Sequence, residues 1–545
     1  MNRSEVDEAS SPARGAGHPK ALEVLAVAAI YVFAHGLMLL NRGLFWDDWI
    51  YFRQPHALLA TLGRELGSTW PGATSWLPYG SWFSIWATRA VMFACFLGVA
   101  LLVLRLSRRL PFFDSGTRIA FASLVAVFPA IAARDSISTF IYPISLLLFM
   151  AGWALLDHSI DAKGWRSWVP RVVALVLFFL SFRTASLVVF YAAVIVWVFW
   201  RCGVTWRRLR EAVSIVLRHA DVVILPLVFW AFRSFDAVPS GFYENYNIVT
   251  GKSLMAAPLL VPRALWQSLV GAFTRMPGTA WWPVVLAVAV VAAFALWKSG
   301  VERPPFSSRR RAVAAWLWAA GVGLLLVVLG VFPYLAVGKV PGFGDFNSRH
   351  QLLVPFGAAL IVVGLVRALT DGARLPRAVS VGIFAVLIAL CAGTVAGDHV
   401  AYEREWYKQL GMIEAFQRAP QMQTGLAFEF DDRTKRLNAA DRVRRRFYEY
   451  AGLFEQAFGT HDRFGVDKAD FARHGMGYYT PMFTPAFKSE ACGPTPPQYL
   501  VTIERGSVDL SSPRVLARML WNEWTGSPSF SGDIAKTVRL TFRPL

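Results

Sequence analysis

Long apolar runs separated by short polar segments dominate the first 397 residues. The runs are about 17–23 residues long, and a helix needs about 20 to cross the hydrocarbon core of a bilayer. The pattern predicts about eleven spans, at 21–40, 82–104, 118–133, 141–156, 168–182, 184–200, 220–236, 281–297, 313–336, 351–368 and 378–396. The segment 1–20 is polar, and no small-residue cleavage pattern follows the first run, so 21–40 reads as a retained helix and not a signal peptide. After Gly397 the pattern changes. Residues 398–545 are richer in charge and hold no span. Helical periodicity is present near 402–418, 438–458 and 513–523, and strand-like runs at Leu426–Phe430, Tyr499–Glu504 and Thr537–Phe542. The expected fold is an all-α polytopic membrane protein of about 11 transmembrane helices with a small α/β C-terminal domain, whose roughly 145 residues suffice for a core of their own.

Two connections are long, 41–81 and 237–280. In the first, Leu58, Leu59, Leu62 and Leu66 fall on one helical face; in the second, Leu265, Trp266, Leu269 and Phe273 do. Such amphipathic helices can lie in the membrane surface. The stretch 253–273 is an alternative twelfth span, against which Pro258, Pro262, Arg263 and the charge alternation of the loops argue.

Of 545 residues, 55% are hydrophobic and 17% charged, and the mean hydropathy is +0.42. This composition excludes a soluble enzyme, a fibrous protein and a disordered chain. The net charge of +19 suggests nucleic acid at first sight. The basic residues, however, crowd into the short loops 105–118, 157–171, 201–218, 298–311 and 367–377, where they set topology and meet anionic headgroups. These loops are expected in the cytoplasm. The N-terminus is then inside, the C-terminal domain extracytoplasmic, the location a plasma (inner) membrane, and nucleic acid no partner. Cys95, Cys202, Cys391 and Cys492 form no CxxC or Cys/His spacing, so neither a zinc site nor a disulfide framework is indicated.

Charged residues outside that topological logic carry the chemistry. The first span runs into Gly43-Leu-Phe-Trp-Asp-Asp-Trp-Ile-Tyr-Phe52. Tryptophans at a membrane surface have a structural reading as headgroup-level anchors. Adjacent Asp47 and Asp48 gain nothing from that environment, because neighbouring carboxylates repel and partial burial raises the cost. They need a cation, hydrogen-bond donors or a function; the plain alternative is a helix cap or a solvated pair. On the same face lie Arg134-Asp135, Arg183, Arg233 and Asp236, and Lys339, Asp345, Arg349 and His350; Arg89 sits inside the second span. An arginine within a span usually faces a cavity or a partner. Together these residues predict a wet, charged cavity at the outer leaflet.

The layout resembles the GT-C superfamily of integral-membrane glycosyltransferases, which use polyprenyl-phosphate-linked sugars. The resemblance covers the arrangement of nearly the whole chain and rests on Trp46-Asp47-Asp48-Trp49 in a long first outer loop, with Arg134-Asp135 and Ser348-Arg349-His350 in support. It implies that Asp47 or Asp48 acts at the acceptor or at a metal, and that Arg134, Arg183 or Arg349 holds the lipid phosphate. The donor would be a polyprenyl-phosphate-linked sugar, the acceptor a cell-envelope glycan, lipid or protein.

Transfer to a hydroxyl needs a base within reach of its proton, which Asp47 or Asp48 could supply. The transition state is oxocarbenium-like, and arginine forks match the growing phosphate charge. His350 could protonate or hydrogen-bond that phosphate, or be a plain interfacial histidine. A divalent ion would want several oxygen ligands, which Asp47, Asp48 and Asp135 offer only if their loops converge. In the tail, Phe428–Asp432 reads more readily as a strand end entering a turn, and Trp406, Tyr407, Tyr478, Tyr479, Trp521 and Trp524 as core or membrane-contact residues than as a sugar platform. Other readings stay open: a flippase or transporter for a lipid-linked sugar, a polysaccharide polymerase, ligase or acyltransferase, or a scaffold. No inverted repeat favours transport.

Overall fold

A computed structural model describes residues 21–65, 81–203, 209–233, 244, 247–300, 308–343, 345–440 and 442–545. Each expected span coincides with a helix: α1 Ala21–His35, α2 Trp82–Ser107, α3 Ser115–Val127, α4 Ile141–Asp161, α5 Trp165–Ser181, α6 Ser186–Arg201, α7 Ala220–Arg233, α8 Trp282–Ser299, α9 Arg309–Ala336, α10 Val354–Gly372 and α11 Arg377–Arg418. Seven of the described helices are long and apolar enough to cross a membrane, those built on α1, α2, α4, α8, α9, α10 and α11. The expected eleven is therefore not reached among the described residues. Helix α3 illustrates why: its 13 residues span about 20 Å, short of the roughly 30 Å core. Asp114 caps its start by accepting the Thr117 N–H at 2.6 Å, and Pro129 forces Phe128 into extended backbone at its end.

The basic loops meet at one end of the bundle. There Glu23 of α1 accepts Arg108 at 2.5 Å and Arg118 at 3.0 Å, Asp157 accepts Arg109 at 2.7 Å and Arg201 at 3.0 Å, and Arg171 pairs with Asp221 at 2.5 Å. Loops expected on one side of the membrane are thus joined by ion pairs. Inside the bundle α9 and α10 approach closely at small residues: a Cβ on Gly357 would lie 2.3 Å from the Gly323 carbonyl oxygen.

Both amphipathic stretches are helical, at His56–Glu65 and at Gly251–Leu265. The second, with Pro258 and Pro262 inside it, continues through a π turn at Trp266–Val270 into Gly271–Thr279. Leu66 and residues 237–243 lie outside the described residues.

The boundary expected at 397/398 falls inside α11, which runs 42 residues, about 63 Å, without interruption and carries the chain straight into the tail. The tail holds a four-stranded mixed sheet in the order β2-β1-β3-β4, with β1 Ala427–Asp432, β2 Phe464–Asp467, β3 Tyr499–Arg505 and β4 Val538–Pro544. β1 is parallel to β2 and β3; β4 is antiparallel to β3. Strand β2 escaped the sequence reading because its four residues are all buried and show no alternation. Trp46 and Trp49 are not headgroup anchors. They are 2% and 0% exposed and share one core with Tyr402, Trp406, Phe430 and Tyr450, so the first loop is stitched into the tail.

Candidate functional site

At the end of the bundle opposite the basic loops, three connections converge: 41–52, 131–139 and 345–351. Asp48 ties the first to the second. The left-handed turn at Trp46 (φ 51°) folds the chain back so that Asp48 Oδ2 accepts the Phe45 N–H at 3.0 Å. The same oxygen accepts the Ile137 N–H at 3.2 Å, while Oδ1 accepts the Ser136 hydroxyl at 2.7 Å and the Ser138 N–H at 2.8 Å. Asp48 is fully buried. Burial pushes its carboxyl up to about 6, while these donors and Arg89 pull the other way. With both oxygens doubly engaged, this geometry suits a clamp better than a proton acceptor.

Arg89 is fully buried and faces backbone carbonyls. Its Nη1 donates to Asn41 O at 2.5 Å, Nη2 to Gly43 O at 2.5 Å and Asp135 O at 2.9 Å, and Nε to Asp135 O at 3.0 Å. The intramembrane arginine satisfies the carbonyls of two loops, which is why a charge is tolerated there.

Arg134 and Asp135, neighbours in sequence, are joined through two histidines. Arg134 Nη1 lies 2.7 Å from His35 Nε2, His35 Nδ1 lies 3.1 Å from His399 Nε2, and His399 Nδ1 lies 2.6 Å from Asp135 Oδ2. All four side chains are at most 4% exposed. Burial lowers the Arg134 guanidinium to about 10. Its carbon sits 4.7 Å from the Phe96 ring centroid, and its Nε has no partner among the described residues. A cleft of about 20 Å³, room for about one water, reaches this guanidinium between apolar side chains of α2, α3, α4 and α10, including Phe96, Val125, Leu146 and Phe356.

Ser348 closes the third connection onto the second, its Oγ accepting the Ala133 N–H at 2.9 Å. Next to it Arg349 is half-buried, donates to Phe346 O at 3.2 Å and lies 4.0 Å from the Phe346 ring. His350 is buried, with its ring 4.7 Å from that of Tyr334 and Nδ1 unpartnered among the described residues. Burial, with Arg349 and Lys339 nearby, lowers it to about 3, so it is neutral and can donate a hydrogen bond but not deliver a proton at neutral pH. Tyr334 also donates to Ser186 at 3.3 Å, three residues beyond half-buried Arg183.

Asp47 differs from its neighbour. It is half-buried and its Oδ1 accepts the Tyr448 hydroxyl of the tail at 2.9 Å. Nearby, Lys488 holds Glu455 at 2.6 Å and donates to the Phe52 carbonyl, locking the loop to the tail.

Of the remaining candidates, exposed Arg233 lies over Trp230 at the end of α7, and Lys339, near His350, donates to Asn247 at 2.6 Å. Asp345 opens the short turn Asp345–Gln351, and Asp236 lies outside the described residues. Asp47, Asp48 and Asp135 do not form an oxygen cage, since Asp48 and Asp135 are turned to the donors named above. Among the described residues no group of three or more His, Cys, Asp or Glu side chains could hold a metal. In the tail, Asp432 accepts Thr434 N at 2.8 Å within a turn and also pairs with Lys408 of α11 at 2.5 Å. Trp406 and Tyr407 are buried, whereas Trp521 and Trp524 are exposed.

His35, His399, Tyr448 and Tyr334 were not legible as site residues. A histidine at the end of an apolar run gives no sign of which distant histidine it will meet. No family model and no curated protein matches the chain.

Proposed function

We propose that this protein is a membrane glycosyltransferase that moves a sugar from a polyprenyl-phosphate carrier to a cell-envelope acceptor at the outer face of a plasma (inner) membrane. The observation that carries the reading is the convergence of loops 41–52, 131–139 and 345–351, through Asp48 and Ser348, at the end of a membrane bundle opposite its basic loops. That convergence gathers a half-buried carboxylate, two arginines and a neutral histidine.

In this reading Asp47 is the base that takes the acceptor proton, and Tyr448 aims it. Asp48 and Arg89 hold the loop that presents it. Arg134 and Arg349 meet the lipid phosphate, whose charge grows as the glycosidic bond breaks, and act on that developing charge. His350 donates a hydrogen bond from its neutral ring. In this reading the end that carries the basic loops faces the cytoplasm.

Native mass spectrometry of the protein released from its own membranes tests the assignment. A bound polyprenyl phosphate carrying a sugar is expected, and its loss in Arg349→Ala. Well-folded protein with no isoprenoid phosphate contradicts the donor assignment.

A further inference from the structure

The four-residue chain Arg134–His35–His399–Asp135 has only one consistent arrangement of protons while Arg134 stays in place. A guanidinium only donates, so Arg134 Nη1, 2.7 Å away, requires His35 Nε2 to be a bare acceptor. His35 Nδ1 then carries its proton and donates to His399 Nε2 at 3.1 Å, and His399 Nδ1–H donates to Asp135 at 2.6 Å. Both imidazoles are neutral, and the pair of opposite charges sits at the two ends.

One contact depends on Arg134. His35 Nε2 is 3.2 Å from the Ala126 carbonyl oxygen, an acceptor facing an acceptor, and Arg134 Nη1 reaches both, at 2.7 Å and 3.5 Å. It becomes a hydrogen bond only when His35 Nε2 carries a proton, and Nε2 can do so only when Arg134 has withdrawn. The surroundings point the same way. The other charges packed here are matched: Asp398 with Arg275 at 2.6 Å, and Asp48 with its donors beside Arg89. Glu403, close to Arg89 and Asp135, Tyr402, close to Asp135 and Asp398, and the Tyr31 ring, 4.5 Å from that of His35 with Cys95 beyond it, are further titratable neighbours among the described residues. If Arg134 turns towards a ligand, Arg89 alone remains beside the two buried carboxylates Asp48 and Asp135, and the cluster is one positive charge short, which is costly.

We propose that Arg134 is the receptor for the phosphate of an amphiphilic anion, and that its engagement loads one proton onto the His35–His399 pair. The ligand identity rests on the lipid-phosphate reading above. The step balances as follows. A proton from solvent adds to His35 Nε2, which then donates to Ala126 O. The Nδ1 proton of His35 passes to His399 Nε2. The resulting His399 imidazolium faces the Asp135 carboxylate and restores neutrality. His35 and His399 are positioning residues: they set where Arg134 rests and allow it to leave.

Isothermal titration of the full-length protein in nanodiscs with farnesyl phosphate tests this at pH 8, where a phosphate monoester is dianionic (second pKa about 6). Repeating it in two buffers of different ionisation enthalpy counts protons. Wild type is expected to take up about one proton per ligand bound. His35→Gln and His399→Gln are each expected to bind with no net uptake, and Arg134→Ala to lose binding. Binding by wild type without proton uptake overturns the coupling and leaves the lipid-phosphate reading standing, and this result needs no variant to fold. Uptake that persists in His35→Gln overturns it too. No binding of farnesyl phosphate by wild type overturns the inference together with the reading it rests on.

Discussion

The Tyr448 hydroxyl of the tail donates to Asp47 at 2.9 Å, while Asp48, the next residue, takes all four of its hydrogen bonds from the membrane-domain loops. One residue of sequence separates a half-buried carboxylate from one that is walled in. Asp47→Asn is expected to fold normally and to lose transfer by at least about a hundredfold, the usual cost of removing a general base. Tyr448→Phe should lose less, because it removes only an aiming hydrogen bond. Turnover and thermal stability measured on the same preparations check both.

Asp48→Asn has the opposite signature. Whichever oxygen becomes the amide NH2 then faces two donors that previously found an acceptor, and the cost is about 2 kcal/mol of stability. The expected result is a lowered melting temperature in detergent, with residual turnover that scales with the folded fraction.

Arg89→Met removes the donors to Asn41, Gly43 and Asp135 carbonyls at a position that is fully buried. It leaves buried acceptors unpaired and is expected to cost about 3 kcal/mol. Lysine should not rescue it, since one ammonium cannot reproduce the fork. Chemical denaturation in mild detergent checks the size of the loss.

Gly452→Val tests the seam between loop and tail. A Cβ there would come within 2.4 Å of Trp49 Cε3, so the indole must move out of its slot. The expected cost is about 1–3 kcal/mol, with faster proteolysis of the tail than of the bundle.

His350 gives a pH dependence of defined sign. Its folded value is lowered to about 3 against an ordinary 6.5, so the unfolded chain binds a proton that the folded protein refuses. Its contribution is fully present above pH 6.5 and is lost as the pH falls towards 3. Between pH 6.5 and 5 wild type should lose about 2 kcal/mol more than His350→Phe, read as the difference between their melting curves.

The sequence pattern located each long apolar helix among the described residues, because a 20-residue apolar run has few other uses. Its count of eleven spans is not confirmed among the described residues, since apolarity reports burial as well as lipid contact. Helix α3 is apolar over most of its length yet only 13 residues long, and most of its residues are buried among other helices. The junction at 397/398 was placed by a change of composition, which α11 ignores because Tyr402, Trp406 and Tyr407 bury it in the tail's core just as its earlier residues are buried in the bundle. At the site, Asp47, Asp48, Arg134, Asp135 and Ser348–His350 stood out because charge and polarity at helix ends are conspicuous. Their division of labour did not. Whether a carboxylate is a clamp or a base depends on donors 88–90 residues away for Asp48 and 401 residues away for Asp47. The His35–His399 contact bridges 364 residues.

If the chain consumes a lipid-linked sugar and needs Asp47 to do so, the loss of Asp47 must leave that sugar unspent. Mass spectrometry of isoprenoid lipids extracted from native host cells carrying either the wild-type protein or Asp47→Asn measures this whatever the acceptor is. One polyprenyl-phosphate sugar species is expected to accumulate in the variant while the protein remains at its normal level in the membrane. An unchanged isoprenoid-phosphate profile, with the variant inserted and folded, contradicts the proposed transfer.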